Sequence, residues 1–329
     1  MPSKVDKTLK TTTAKKPAAA NPAAATAAAT AAAKPAANPT AKPAAKPATA
    51  MHFPPLIPKG PTTGADGAYG QTPTTQTPWE LAQATTIDEN LMDKIKTKFQ
   101  EADVVVNMTH SDLIMKNFKR LAASGHSELD TSSIDVFLEY WQLRTDRGSA
   151  SNSRIWRASA HFWEALKNNN FSHDAVKKWW DKRHGSAMFG KNDMIIVPIN
   201  ESNTHWFLAV VNLTTMQTET YDSMGKPHPD VHARLNAWFQ AEVRYHKNTV
   251  FKDVVLSAWD VGAIKQPPRQ NNCYDCGVFV CMYAANIMVG RNKFDFSQRD
   301  IPHIRMWMIQ VLYKHGEKTG SCTHPGLCA

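Results

Sequence analysis

The most constraining feature of this chain is the segment Val278 to Val289, which is apolar almost all the way round. A helix with no polar stripe has no face to turn to water, so it must run through the middle of a domain. A second segment, His205 to Leu213, makes a matching demand as a strand. Trp206, Leu208 and Val210 alternate with Phe207, Ala209 and Val211, which leaves apolar side chains on both faces and marks a central strand covered on both sides. Met194 to Ile199 is a further short apolar run, Thr218 to Asp222 supplies a partner for the central strand, and Phe251 to Trp259 reads as a fourth strand. Helices are expected at about 110–123, 131–143, 156–168, 173–183, 229–244 and 299–314. Helices packed on a small mixed sheet make the fold class α+β.

Upstream the text changes. Residues 1–80 are rich in Ala, Pro, Lys and Thr; in the first 60, nine lysines face one aspartate, so nearly all of the formal charge of +9 sits there. Proline interrupts the alanine runs, and too few large apolar side chains exist to offset chain entropy, so this segment reads as a disordered tail. Thr86-Ile87-Asp88-Glu89 has the pattern of a capping box, and Leu91, Ile95 and Phe99 follow at four-residue spacing. Residues 81–101 are therefore a helical arm or linker, either packed on the domain or separate. Residues 102–317 form the folded domain and 318–329 a C-terminal extension. With the charge confined to the tail, the folded part has no nucleic-acid footprint. No stretch is long and apolar enough for a membrane span, and the N-terminus lacks the apolar core of a signal peptide. Five cysteines, three of them within nine positions, argue against a disulfide framework. The expectation is a soluble, monomeric protein of a reducing intracellular compartment.

The chemistry centres on Cys276, which stands in QNNCYDCGVFV directly before the buried helix. A thiol there meets unpaired backbone N–H groups and the positive end of the helix dipole, which favour thiolate. Gly277 lets another chain approach closely. Pro267 and Pro268 stiffen the approach to Gln270, whose side-chain amide, six residues before the thiol, could donate to an oxyanion. His205 opens the central strand and is a candidate base. Asp222 closes the next strand, and the midpoint between the two falls at 213–214, inside the expected turn. A hairpin folded there brings them close, within a residue or two of register, where the carboxylate could fix the imidazole tautomer. Other readings compete. Cys273 and Cys276 form a C-x-x-C suited to redox chemistry or zinc, and His315, Cys322, His324 and Cys328 could make a zinc knuckle, although their spacing fits no common pattern.

Taken together, HWFLAVVNL, YDSMG and QNNCYDCGVFVCMYA resemble the SUMO- and ubiquitin-like-protein protease family, whose fold is shared with the adenovirus protease. The match is strongest over about 194–290 and extends more weakly back to about 110. The resemblance implies base, orienting acid, oxyanion donor and nucleophile at His205, Asp222, Gln270 and Cys276, with no metal or cofactor. It also implies that Trp206 helps wall a narrow tunnel around the Gly-Gly tail of the substrate. The expected partners are SUMO first, because the Asp-Ser-Met-Gly phrase is closest to SUMO proteases, then ubiquitin and Nedd8. The expected location is nucleus or cytoplasm, that of a host cell if the chain is a secreted effector. The family's Trp-Leu-Asn-Asp phrase, whose Trp forms the tunnel lid, has Glu128-Leu129-Asp130-Thr131 as its counterpart here. Two other functions use the same scaffold: an acetyltransferase, which would need a basic cluster for coenzyme A or inositol phosphate, and a non-catalytic module binding a ubiquitin-like protein.

Overall fold

The computed structural model describes residues 76–122, 127–148, 155–179, 194–213, 215–260, 267–291 and 294–320. Most of the tail, the end of the expected 173–183 helix, and Cys322, His324 and Cys328 lie outside the described residues. The chain enters at α1 (Pro78–Ala84), opened by a capping box in which the Thr77 hydroxyl accepts from Glu80 N and the Glu80 carboxylate accepts from Thr77 N. The box expected at Thr86 is thus found nine residues earlier. Residues 86–88 are engaged otherwise: the Gln310 side chain donates to Thr86 O at 2.7 Å and accepts from Asp88 N at 2.8 Å. Helix α2 (Leu91–Lys98) follows, with Leu91, Ile95 and the adjoining Phe99 buried. Both helices pack on the domain, Trp79 and Ala82 of α1 joining the same core as Leu91 and Ile95 of α2.

Next come the hairpin β1 (Val104–Asn107) and β2 (Asp112–Ile114), α3 (Met115–Ala122) and α4 (Thr131–Gly148). Where one helix was expected over 156–168, the chain makes strand β3 (Ile155–Arg157) and then α5 (Phe162–Asn168). β3 exists because a neighbour accepts it: it pairs in parallel with β4 (Met194–Glu201). β4 runs antiparallel to β5 (His205–Asn212), β5 antiparallel to β6 (Gln217–Tyr221), and β6 parallel to β7 (Ser257–Asp260). The result is a mixed five-stranded sheet in chain order. Between β6 and β7 lies α6 (Pro229–Tyr245), and after β7 come α7 (Cys276–Met288) and α8 (Ile301–Thr319).

β5 divides two cores, as its two-sided apolar pattern demands. Trp206, Leu208 and Val210 pack with α4, α7 and α8, while Phe207, Ala209 and Val211 pack with Trp156, Phe162, Trp238 and Phe239 on the α5–α6 side. Every residue of α7 is buried, so this helix is the axis on which the rest is assembled. Truncating one of its large apolar side chains to Ala would cost about 2–5 kcal/mol.

Candidate active site

Cys276 is the first residue of α7 and 1% exposed. The loop before it is held from several sides through Asp275. One Asp275 carboxylate oxygen accepts from Arg305 Nε at 3.0 Å and Nη2 at 2.7 Å, and the other from Asn272 Nδ2 at 2.6 Å and Gln298 Nε2 at 2.8 Å. Arg305 is itself buried and caps backbone carbonyls of Arg120 and Ser127. A buried ion pair contributes little net stability but is costly to break, so here it fixes the register of the loop that carries the thiol. Gly277 is required because a Cβ there would lie 2.8 Å from Leu129 Cβ. The segment that approaches it is therefore the chain's own Leu129.

His205 opens β5 and is 3% exposed. In the β5–β6 ladder Leu208 faces Tyr221, so one step further places Asp222 beside Phe207 and diagonal to His205. Two residues apart on a strand share a face, and the hairpin closes the gap: His205 Nε2 is 2.9 Å from Asp222 Oδ2. An ionised carboxylate only accepts, so Nε2 carries the proton and Nδ1 is left for the Cys276 thiol, the other group that acts on the ring. Burial alone would push the imidazole pKa down. Asp222 and Cys276 outweigh it and lift the value from 6.5 to about 9. Burial likewise works to raise Asp222, but the hydrogen bonds from His205 and His228 hold its carboxyl well below the usual range.

Asp222 is fully engaged. Besides His205, Oδ2 accepts from His228 Nε2 at 2.7 Å, and Oδ1 accepts from the backbone amides of Met224 at 2.6 Å and Gly225 at 3.0 Å. The next residue, Ser223, turns to the oxyanion candidate. Its carbonyl accepts from Gln270 N at 3.0 Å, and its hydroxyl donates to Gln270 Oε1. Gln270 Nε2 donates to Asn272 O at 2.6 Å, four residues before the thiol, and its second N–H is not used in that bond. The amide is therefore held in one orientation, with its NH2 end on the side of the Cys276 loop. Trp206 is buried against α7, and its indole N–H donates to Leu129 O at 2.9 Å. The strand that carries His205 is thereby tied to the segment packed on Gly277, while Glu128 beside it is exposed.

The structure thus unites Cys276, His205 and Asp222, and locks Gln270 to the Asp222 turn. The two other described cysteines stand apart. Cys281 is fully buried, and burial pushes its thiol well above the ordinary range; Cys273 is exposed and unbridged. Among the described residues no three His, Cys, Asp or Glu side chains converge as metal ligands. His228 was missed by the sequence reasoning. It sits between Pro227 and Pro229 ahead of a helix, which reads as punctuation; its six-residue spacing from Asp222 was the available signal.

The family model described as "Ulp1 protease family, C-terminal catalytic domain" matches residues 106–319. Sentrin-specific protease 2 of Mus musculus is 32% identical over 185 residues, covering 55% of this chain and 29% of that protein. A sentrin-specific protease of Caenorhabditis elegans is 28% identical over 172 residues, covering 52% of this chain and 23% of that one. The chain therefore spans less than a third of the length of either relative. Among solved structures, the Ulp1-like SUMO protease catalytic domain of Chaetomium thermophilum superposes with a TM-score of 0.58 at 21% identity, covering 70% of this chain and 90% of that chain. The C-terminal Ulp1 protease domain in complex with Smt3, the yeast ortholog of SUMO, gives 0.56 at 21% identity, covering 70% and 96%. These likenesses establish the fold.

Proposed function

The chain belongs to the Ulp1 protease family, matched over its catalytic-domain model, and from that premise we propose that it is a thiol protease that cleaves after the C-terminal Gly-Gly of a ubiquitin-like protein. The observation that carries this reading is the ordered series Cys276, His205, Asp222. The thiol gives its proton to His205 Nδ1, and the imidazolium that forms is supported by Asp222 on Nε2. The thiolate attacks the glycine carbonyl, forming the C–S bond, and the carbonyl oxygen takes the negative charge. The free N–H of Gln270 donates to it, with the backbone amide beside Cys276 as second donor. Collapse expels the lysine amine or the peptide amine, which takes the proton from His205. Water then gives a proton to His205 as it attacks the thioester, releasing the carboxylate and restoring the thiol.

SUMO is the favoured substrate, supported by the Asp-Ser-Met-Gly phrase and by the naming of the relatives as sentrin-specific proteases; ubiquitin and Nedd8 follow. Trp206 would help wall the channel that takes the side-chain-free glycines, with Glu128 standing where the family has its lid Trp. We further assign residues 76–320 to the working domain, α1 and α2 included. We also propose that it acts as a monomer in the nucleus or cytoplasm.

The test offers the purified chain to SUMO, ubiquitin and Nedd8 probes bearing a C-terminal electrophile. SUMO should label the wild type and C273A, and leave C276A unlabelled. Absence of labelling by every probe, with the fold intact, would overturn the reading. Loss of labelling in C273A equal to that in C276A would move the chemistry to the C-x-x-C pair.

A further inference from the structure

The carboxylate that serves the base also serves a second histidine. His228 Nε2 lies 2.7 Å from the same Asp222 oxygen that His205 reaches at 2.9 Å. Because that oxygen can only accept, His228 is a donor in either of its protonation states. Its ring is buried and lies flat on Phe207, with centroids 3.6 Å apart and planes 5° from parallel. Phe207 is two residues along β5 from His205 and faces the same core. Pro227 and Pro229 flank His228 in the sequence, and proline fixes the backbone at its own φ and restricts the residue before it. A donor held by a stack, two prolines and burial is built into the site.

We propose that His228 is a positioning residue that tunes the base: by sharing the Asp222 oxygen it draws charge away from the His205 hydrogen bond and keeps His205 able to release its proton. The idea rests on the function proposed above, in which His205 must hold a proton during attack and surrender it before water can be activated. The other groups around the pair are in place without His228. Met224 and Gly225 amides anchor Oδ1, Cys276 acts on His205 from α7, and Tyr283 of the same helix feels both Asp222 and Arg269. Removing His228 therefore leaves the carboxylate where it is and concentrates its charge on the His205 side. The consequence is a His205 that binds its proton more tightly, and each unit of tightening is a tenfold loss of neutral imidazole at neutral pH.

The experiment uses the full chain with isotope-labelled histidine, following the His205 titration by NMR alongside kcat and KM on a SUMO fusion. H228F keeps a ring on Phe207 and removes the donor; H228Q keeps an N–H donor; H228M replaces H228F if the ring exchange does not fold. H228F should raise the His205 midpoint by about half a unit to one unit. Its kcat at pH 7 should fall roughly three- to tenfold with KM within about twofold, the deficit shrinking as pH rises. H228Q should stay close to wild type in both. A midpoint that is unmoved or lowered in H228F, or H228Q behaving as H228F does, would overturn the inference. The midpoint is read without substrate, so a wild type that cleaves no Gly-Gly fusion sinks the proposed function while the His228 inference is still decided by the titration.

Discussion

Replacing Asp222 by Asn changes one atom and should disable the site. The carboxylate takes four donors: two imidazoles on Oδ2 at 2.9 and 2.7 Å, and two backbone amides on Oδ1 at 2.6 and 3.0 Å. An amide has one oxygen and one NH2, so one pair of donors must face another donor. Backbone amides cannot change, whereas an imidazole can move its proton. The oxygen therefore stays with Met224 and Gly225, and the NH2 turns to the imidazoles. His205 must then accept at Nε2 and carry its proton on Nδ1, the nitrogen that faces Cys276, where it can no longer take the thiol's proton. The wrong tautomer in a comparable triad costs about 10⁴ in kcat, or about 5.4 kcal/mol at 1.36 kcal/mol per decade. The fold should lose less, about 1–3 kcal/mol, because every donor can still find an acceptor once both rings have switched. The assay is kcat on a Gly-Gly fusion together with thermal unfolding, run well below the Tm of the variant. A folded D222N that keeps more than about a tenth of wild-type kcat would refute the tautomer argument.

Three further outcomes are expected. Q270A should lower kcat by about 100- to 1000-fold while KM and Tm stay near wild type, as for the loss of one oxyanion donor; a parallel fall of kcat, affinity and Tm would make Gln270 a mere loop tie. W79A should destabilise the domain by about 3–5 kcal/mol, and a chain beginning at Gln76 should turn over a small model substrate normally, whereas one beginning at Ala102 should not fold; circular dichroism and activity of the two truncations check this. Because the folded His205 pKa is raised to about 9 from an unfolded value of about 6.5, its contribution to stability is complete below about pH 6.5 and is lost as pH rises through about 9. The stability gap between wild type and H205Q, measured by urea unfolding, should close over that window and not below it.

The parts of the fold legible in the sequence were those that carry their own pattern. β5 and α7 announce themselves by being apolar on all sides, and the hairpin between His205 and Asp222 could be placed because equal strand arms must meet about its turn. The midpoint was nearly right, and the observed register makes the two residues diagonal instead of opposite. Elements that depend on a distant partner were not legible. β3 is three residues long and exists through its parallel pairing with β4, so its sequence reads as the start of a helix. β2 is similarly short and was merged into α3. Two Thr-x-x-Glu boxes stand nine residues apart, and only tertiary contact chooses between them: Gln310 of α8 occupies the backbone of the second. Within the site, Cys276, His205, Asp222 and Gln270 stood out by type and spacing. His228 did not, because its significance lies wholly in which carboxylate it touches.

The burial of α7 along its whole length also gives the molecule an internal gauge of its own opening. Amides and thiols in such a helix are reached by solvent only when the domain comes apart, whereas edge strands and turns open locally at lower cost. Cys281, fully buried in the first half of α7, is the thiol to watch. With the other four cysteines replaced, its rate of modification by a small thiol reagent should follow the population of the globally open chain and so report its free energy without added denaturant. The nucleophile shares that backbone at its N-terminal end. Heat or denaturant should therefore silence the enzyme through displacement of the Asp222 turn from His205 before the helix carrying the sulfur lets go.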